Sequence, residues 1–326
     1  MQRRFLMRTV FLLAVIGLFI LGFSSAWAQK SVRLSIATGG TGGVYYPLGG
    51  GMANIISKYI PYVEATAEVT TASVDNCLLL GRGKADLALI MADTGWDAYM
   101  GLAKFKEKIP LRSLVAFYPN NMHVVTVEGK GIEKVTDLKG KRVSTGAPGS
   151  GTEVMALRVL EAYGLNPDKD MSRDKLGASE SAGALKDRKI DAYFWVGGIP
   201  TASVTDLGAT PGTKMKLLGH ADAATKMREK YGPLYVKGII PAKTYPGQEG
   251  DVPIVVVWNL LVCHENMKEN VAYDILKTLF DHKPELVMSH SDAKYLSLEP
   301  QGAGGSPIPF HPGAIRYFTE KGVKIK

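Results

Sequence analysis

The sequence predicts an α/β fold with a mostly parallel sheet, and three observations predict it. Short runs rich in Val, Ile and aromatic residues alternate with runs whose apolar residues recur at helical spacing. The chain has 326 residues, which is long enough for two domains. An approximate repeat also relates the first part of the chain to its middle. Alternating strands and helices of this kind form sheets that are covered by helices.

The expected elements can be assigned in chain order. The runs expected to form strands are SVRLSIA (31–37), ADLALIM (85–91), LVAFY (114–118), HVVTVE (123–128), KRVST (141–145), DAYFWV (191–196) and IVVVWNLLV (254–262). The runs expected to form helices are GGGMANIISKYI (49–60), VDNCLLLGRG (74–83), GTEVMALRVLEAYG (151–164), SAGALKDRK (181–189) and MKENVAYDILKTLFDH (267–282).

The repeat consists of a strand, a turn rich in glycine and hydroxyl residues, a helix and a second apolar strand. The turns are TGGTGG and GAPGSGTE, and each second strand is entered through Lys-x-Asp, at Lys84/Asp86 and Lys189/Asp191. Thr41 precedes Asp86 by 45 residues, and Ser150 precedes Asp191 by 41. Chance similarity between two α/β units is the alternative. The repeat favours two similar lobes, each presenting a helix N-terminus to a shared cleft.

The turn in IATGGTGGVYYPLGG (36–50) indicates an anion site without a nucleotide. A P-loop requires a lysine after its glycines, but none occurs before Lys58, and Tyr45 occupies the third glycine position of a dinucleotide fingerprint. A bare helix start still offers unpaired N–H groups and a partial positive charge. We therefore expect the two turns to hold a small carboxylate. The expected contacts are Gly40, Thr41, Gly42 and Tyr45 in the first turn, and Ser150, Gly151 and Thr152 in the second.

Asp93, Tyr118, Trp195 and Gly197 are further candidates, and the first three each have a structural alternative. Asp93 follows a strand, where α/β proteins place ligand residues, and it either binds an amino group or caps the next helix. Trp195, which is followed by Gly197, either forms a wall of the cleft or belongs to the core. Tyr118 precedes the expected first crossing strand, and its side chain either reaches the cleft or packs at the hinge.

The first 28 residues have the features of a signal peptide. A basic start with Arg3, Arg4 and Arg8 precedes an apolar run, and the small residues of AWA (26–28) predict cleavage after Ala28 and export to the periplasm. An uncleaved membrane anchor is the alternative. The apolar run is shorter than the ~20 residues that a spanning helix needs.

Charge and cysteine usage exclude several classes of function. Without the three arginines of the leader, 36 basic side chains face 31 acidic ones and are scattered, which argues against nucleic-acid binding. Cys77 and Cys263 either form one disulfide or are free and buried. The six histidines occur singly, and no metal site or cofactor is expected.

Six stretches together resemble the TAXI family, the TRAP-associated extracytoplasmic immunogenic proteins, which are solute receptors of TRAP transporters. They occur in family order from Ser31 to Phe318. The stretches are TGGTGGVYYPLGGG, ADLALIMAD, STGAPGSGTE, DAYFWVGGIPT, YPGQEGDVPIVVVWNLLVCHENM and PIPFHPGAIRYF.

The resemblance implies a type II periplasmic-binding-protein fold, in which two α/β lobes are joined by crossing strands around a ligand cleft. Residues 29–125 with 255–326 would form the first lobe and 126–254 the second, with HVVTVE and PIVVVWN as the crossing strands. It also implies a monomeric receptor, without enzymatic activity, that delivers a small organic acid or acidic amino acid, such as glutamate or 2-oxoglutarate, to the membrane subunits of a TRAP permease.

Position by position, the resemblance covers the residues of both turns together with Trp195 and Gly197. One departure concerns Met91 and Ala92, since family members often have Gln-Ser before the aspartate that corresponds to Asp93. This departure favours a less polar or smaller ligand.

Two other classes of function are weighed against transport. A periplasmic enzyme would need an activated nucleophile, but Ser150 lies in Pro-Gly-Ser-Gly-Thr rather than in a G-x-S-x-G elbow. A receptor that signals to a membrane sensor would need the same cleft, so the sequence leaves that alternative open.

Overall fold

The computed structural model describes residues 32–302 and 304–325, and the predicted signal peptide (1–28) lies outside these described residues. Within them, ten strands form one sheet. The strands are β1 (Val32–Ala37), β2 (Val63–Glu68), β3 (Leu87–Met91), β4 (Leu111–Val127), β5 (Arg142–Ser144), β6 (Ser172–Asp174), β7 (Ala192–Gly197), β8 (Met215–Leu217), β9 (Val236–Ile240) and β10 (Val252–His264).

The helices cover both faces of this sheet. They are α1 (Tyr45–Tyr59), α2 (Ser73–Gly81), α3 (Ala92–Met100), α4 (Gly151–Ala162), α5 (Ala178–Lys186), α6 (Ala202–Gly208), α7 (Ala223–Tyr231), α8 (Glu269–Asp281), α9 (Lys283–Ser289), α10 (Glu299–Gly302) and α11 (Pro312–Glu320). Two 3₁₀ turns lie at Val135–Leu138 and Ser291–Tyr295. In the part of the chain that the structure describes, no helix has the length and apolar character needed to cross a membrane.

The sheet is mixed, with strand order β2-β1-β3-β10-β4-β7-β5-β6, while β8 pairs with β4 and β9 with β10. Parallel pairing is confined to its two ends, in β2-β1-β3 and in β7-β5-β6. The central strands β4 and β10 run antiparallel to each other and to their neighbours. The expectation of a mostly parallel sheet is therefore wrong for the centre, because the crossing strands return in opposite directions.

The repeat expected from the sequence is present as two βαβαβ units. The order β2-β1-β3 around α1 and α2 recurs as β6-β5-β7 around α4 and α5. In the first unit, Ser35 N–H donates to Asp86 Oδ2 (2.8 Å) and Asp86 N–H to the Ser35 carbonyl. In the second, Arg142 N–H donates to Asp191 Oδ2 (3.0 Å) and Asp191 N–H to the Arg142 carbonyl. The two Lys-x-Asp sequences thus hold equivalent strands in register.

Strands β4 and β10 together connect the two ends of the sheet, because β10 pairs with β3, β4 pairs with β7, and they pair with each other. We use "first lobe" for the described residues of 29–125 and 255–326, and "second lobe" for 126–254. Strand β4 pairs with β10 as far as Asn121, where it begins to pair with β7. It also contains one extra residue between Ala116 and Pro119, which lie opposite Leu260 and Trp258. Such a bulge redirects side chains, and this one lies immediately before Asn120.

Other differences from the sequence-based elements concern continuity and short strands. LVAFY and HVVTVE lie in one strand, β4, although the intervening PNNM is partly polar. Strands β2, β6, β8 and β9 were missed because they are short or carry polar and exposed residues, as in VEATAE and SRD. Cys77 and Cys263 are both free and buried, so they do not form a disulfide.

The hydrophobic core is divided differently on the two faces of the sheet. On one face, a single cluster, the shared core, runs through both lobes and includes Cys77, Ile90, Met155, Leu160 and Phe194. A second cluster belongs to the first lobe. A third belongs to the second lobe and the adjoining parts of β4 and β10. One face therefore joins the lobes, whereas the other keeps them separate.

A buried ion cluster also joins the lobes, next to the shared core. Arg158 of α4 is 7% exposed, and its guanidinium contacts Asp93 (3.5 Å) and Asp97 of α3 and donates to the Tyr235 hydroxyl (2.6 Å). The Tyr235 hydroxyl donates in turn to Asp93 Oδ2 (2.7 Å). Burial of two carboxylates is tolerated here because a single cation is shared between them.

A second polar contact between the lobes involves Asp292. Its Oδ2 accepts from the backbone N–H of Ile199 (3.0 Å), while its Oδ1 has no partner among the described residues. The side chain is 1% exposed, and burial raises the pKa of Asp292 to about 6. This carboxyl therefore changes its charge near neutral pH at a contact between the lobes.

We predict that Arg158→Leu destabilises the protein by about 3–5 kcal/mol, because it leaves two buried carboxylates without their cation. Urea unfolding of the variant measures this loss. Arg316→Leu is the matched control, since Arg316 forms an exposed pair with Glu320 and its loss should cost less than about 1 kcal/mol. Equal losses in the two variants would contradict the structural importance of the cluster.

We predict that Asp292→Asn stabilises the protein at pH 7–8 but not at pH 4. A carboxyl whose pKa is higher in the folded than in the unfolded state stabilises the protein at pH values below its unfolded-state pKa. This stabilisation is lost as the pH rises through about 6. The thermal midpoint of the natural protein should therefore fall relative to that of the variant between pH 4 and 7.5. Exposed Asp206→Asn controls for the lost charge. A constant difference across this pH range would contradict the assignment.

Candidate functional site

A cavity of about 320 Å³ lies between the lobes, at the carboxyl ends of the parallel strands. Its walls are the connections that follow β1, β2, β5 and β6, with the end of β7 and the middle of β4. Because each of these connections leads into a helix, the starts of α1, α2, α4 and α5 all line the cavity. The two βαβαβ units thus contribute two helix N-termini each. This edge of an α/β sheet is the usual position of a ligand site.

The structure brings together ten of the eleven residues expected at the site. These are Gly40, Thr41, Gly42, Tyr45, Tyr118, Ser150, Gly151, Thr152, Trp195 and Gly197.

The remaining residue, Asp93, does not line the cavity. Its side chain is fully buried, accepts from the Thr94 N–H in the first turn of α3 (2.7 Å) and from the Tyr235 hydroxyl, and lies beside Arg158. The expectation that Asp93 binds an amino group of the ligand is therefore corrected. Asp93 is not the cap of α3 either, because Met91 is at the N-cap position and no side chain caps this helix; the carboxylate pairs instead with Arg158.

The start of α1 offers unpaired backbone donors. Val44 at the N-cap position makes no side-chain cap, and no acidic residue occupies the first turn. Gly43 N–H donates to the Gly40 carbonyl (3.1 Å), but the N–H groups of Tyr45 and Tyr46 have no acceptor within the helix. An anion placed here would meet two N–H donors and the positive end of a 15-residue helix.

The start of α4 also offers backbone donors, but Glu153 lies in its first turn, paired with Lys104 and Lys175, and the Ser150 hydroxyl is already engaged. It donates to the Ala147 carbonyl (2.7 Å) and accepts from the Glu153 N–H (3.0 Å), so Ser150 is the N-cap rather than a free donor to a ligand. The N–H groups of Gly151 and Thr152 have no acceptor within the helix. The Thr152 hydroxyl accepts from the Val196 N–H (3.3 Å) and ties α4 to β7.

The starts of α2 and α5 were not predicted from the sequence, and both already lie beside groups of the protein that carry negative or partial negative charge. At α2, the N–H groups of Val74 and Asp75 donate to the carbonyl of Gly149, which belongs to the other lobe (3.1 Å each). At α5, the Glu180 carboxylate lies directly against Gly177, the N-cap residue. Hydroxyl residues before a helical run, as in TTAS (70–73), were the available signal.

The cavity is poor in charge. Glu180 is the one charged side chain among the lining residues that the structure describes, and no Lys, Arg or His lies among them. Burial raises the pKa of Tyr45 and of Tyr118, so both phenols remain neutral. Tyr118 is fully buried, and its hydroxyl has no partner among the described residues. An anion here would be held by backbone dipoles rather than by a cationic side chain.

The glycines of the first turn allow the lobes to touch. A Cβ on Gly42 would overlap the Ser179 side chain, and a Cβ on Gly43 would lie 2.8 Å from Cη2 of Trp195. Trp195 is itself held by its Nε1–H, which donates to the Thr201 hydroxyl (3.0 Å). A Cβ on Gly40, by contrast, would meet nothing within 4 Å. Gly42 and Gly43 therefore serve the contact between the lobes, whereas the sequence analysis assigned the turn to the ligand alone.

The fold is that of solute-binding proteins. The alkanesulfonate-binding protein SsuA from Xanthomonas axonopodis pv. citri, bound to MOPS, is 16% identical, with a TM-score of 0.51, over 90% of this chain and 84% of that chain. A protein assigned as an L-cystine ABC transporter from Listeria monocytogenes is 17% identical, with a TM-score of 0.50, over 81% of this chain and 95% of that chain.

A ligand-binding component of an ABC-type import system from Staphylococcus aureus, with zinc bound, is 12% identical, with a TM-score of 0.51, over 90% of this chain and 99% of that chain. At such identities these likenesses show the architecture. The model of the NMT1-like family matches residues 36–322, nearly all of the chain after the predicted leader. The chain therefore belongs to the NMT1-like family.

Proposed function

We propose that the protein is a periplasmic solute receptor that captures a small carboxylate between the starts of α1 and α4. The observation that carries this proposal is that two helix N-termini with unpaired N–H groups face one cavity whose described lining has no cationic side chain. Each such end favours an anion by roughly 0.3–2 kcal/mol. The carboxylate oxygens would accept hydrogen bonds from these N–H groups, which have no acceptor within their own helices.

Capture would proceed by closure of the two lobes, 29–125 with 255–326 and 126–254, about β4 and β10. Among the described residues, β10 pairs with β3 at one end of the sheet, β4 pairs with β7 at the other, and the two strands pair with each other. The donors of α1 and α4 belong to different lobes, so a single carboxylate contacts both only when the lobes are together. A ligand that binds one conformation better shifts the population towards it.

The cellular role is proposed from the sequence and the fold together. The predicted signal peptide would export the protein, and the resemblance to TAXI receptors favours delivery of an organic acid or acidic amino acid, such as glutamate or 2-oxoglutarate, to the membrane subunits of a TRAP permease. The structural relatives with ABC names make an ABC importer the second candidate. Catalysis gains no support, because the Ser150 hydroxyl is engaged as a helix cap.

We predict that at least one small acid stabilises the refolded chain 29–326, whereas its amide and alcohol analogues do not. A thermal-shift panel of carboxylates, amino acids and sulfonates measures this. A ligand of the folded state at a hundredfold excess over its Kd adds ~2.7 kcal/mol. A shift from a neutral or cationic solute alone would contradict the anion site. A shift from sulfonates alone would mean that the bound anion is a sulfonate and not a carboxylate.

We predict that Gly43→Ala weakens binding of the best acid in that panel by about tenfold. The added methyl would lie 2.8 Å from the Trp195 ring and hold the lobes apart, since overpacking costs ~1–3 kcal/mol. Calorimetry of the variant gives the affinity. Gly50→Ala is the control, because its methyl faces open space on the same helix. Equal affinity in the Gly43 variant would show that binding does not need this contact.

A further inference from the structure

Asn259 has a fixed orientation beneath the cavity. Its Nδ2 donates to the backbone carbonyl of Tyr118 (3.4 Å), which can only accept. Its Oδ1 therefore faces the other way, where it accepts from the Tyr45 hydroxyl and from Asn120 Nδ2 (3.0 Å). Exchanging the two amide atoms would place an oxygen against the Tyr118 carbonyl, so the alternative orientation is excluded.

This network also determines which polar atom of the Asn120 side chain has no hydrogen-bond partner. Because Asn259 accepts the Asn120 Nδ2–H, Asn120 must turn its oxygen away from Asn259. That Oδ1 has no hydrogen-bond partner among the described residues, although Asn120 lines the cavity and is 2% exposed. A buried acceptor without a partner is unfavourable, and a ligand that donates a hydrogen bond would remove the cost. The Tyr118 hydroxyl also lacks a partner among the described residues.

The charges and backbone dipoles around the cavity favour one carboxylate and disfavour a second. The N–H groups of Val74 and Asp75 at α2 are taken by the Gly149 carbonyl, and the start of α5 already has the Glu180 carboxylate against it. The first turns of α2 and α5 thus already contain an acidic side chain, whereas that of α1 has none and Glu153 of α4 is paired with Lys104 and Lys175. A second carboxylate would meet Glu180 or the unpaired Asn120 oxygen, and both repel it.

We infer that the preferred ligand is a monocarboxylate bearing a hydroxyl or ammonium group, which donates a hydrogen bond to Asn120 Oδ1. This inference rests on the proposed function and narrows it, because it excludes dicarboxylates such as glutamate and 2-oxoglutarate. The carboxylate is held by the N–H groups of α1 and α4, and the donor group is selected by Asn120. Asn259 and Tyr45 are positioning residues, because they act by fixing the Asn120 amide.

Four-carbon acids test this inference by calorimetry on chain 29–326. The probes are butanoate, its 2-, 3- and 4-hydroxy derivatives, 2- and 4-aminobutanoate, and succinate. At least one hydroxy or amino acid should bind ten times more tightly than butanoate and succinate, because an analogue without the donor leaves the acceptor unpaired. Butanoate or succinate binding as tightly as every donor-bearing acid would overturn the inference and leave the carboxylate receptor intact. Absence of binding by all seven acids would overturn both.

Asn120→Leu provides the matched variant, since it removes the acceptor at similar volume. It should weaken the hydroxy or amino acid by about tenfold and leave butanoate unchanged or tighter, so that the preference disappears. Gly50→Ala, whose methyl faces open space on α1, should keep the preference and shows that a substituted chain still folds around a ligand. A preference retained in Asn120→Leu with an unchanged thermal midpoint would contradict the role of Asn120. If Asn120→Leu fails to fold, Asn259→Leu replaces it, and an undiminished preference there counts equally against the network.

Discussion

The backbone N–H groups at the starts of α1 and α4 depend on acceptors that their own helices do not supply. Each helix follows a parallel strand, and the two strands lie at opposite ends of one sheet, so the donors meet only because β4 and β10 hold those ends together. The glycines keep side chains from filling the gap. Much of the surrounding structure, from the two aspartates that fix β3 and β7 to the bulge in β4, places these donors on either side of one small cavity.

The lobes are held together by several contacts that do not involve a ligand. Gly149 caps α2 from the other lobe, Arg158 bridges to Asp93 and Asp97, and Ile199 donates to Asp292. The free energy of closure is therefore shared between the ligand and the protein. Such contacts lower the interaction free energy that a ligand would have to supply to keep the lobes together.

The sequence predicted the alternation of elements and the repeat, and ten of its eleven candidate site residues line the cavity, because glycine turns and helix starts are local features. The Asp93 assignment failed because its partner Arg158 lies 65 residues away and no local pattern announces that pairing. Asn120 and Asn259 were not predicted for the same reason. Their hydrogen-bonding roles depend on which amide atom faces which neighbour across two strands. The strand VEATAE was missed although it alternates apolar and polar residues, because it is short and two of its three apolar residues are alanine; it pairs with β1.

The shared core has a consequence for how such proteins can diversify. Cys77 and Ile90 pack in the same cluster as Met155, Leu160 and Phe194, so an exchange of the second lobe between relatives would join two half-clusters that have not been selected together. Point changes around the cavity leave this cluster untouched. New specificities in this architecture should therefore arise more readily by substitution at the cleft than by recombination of lobes, even though the two lobes are built as copies of one unit.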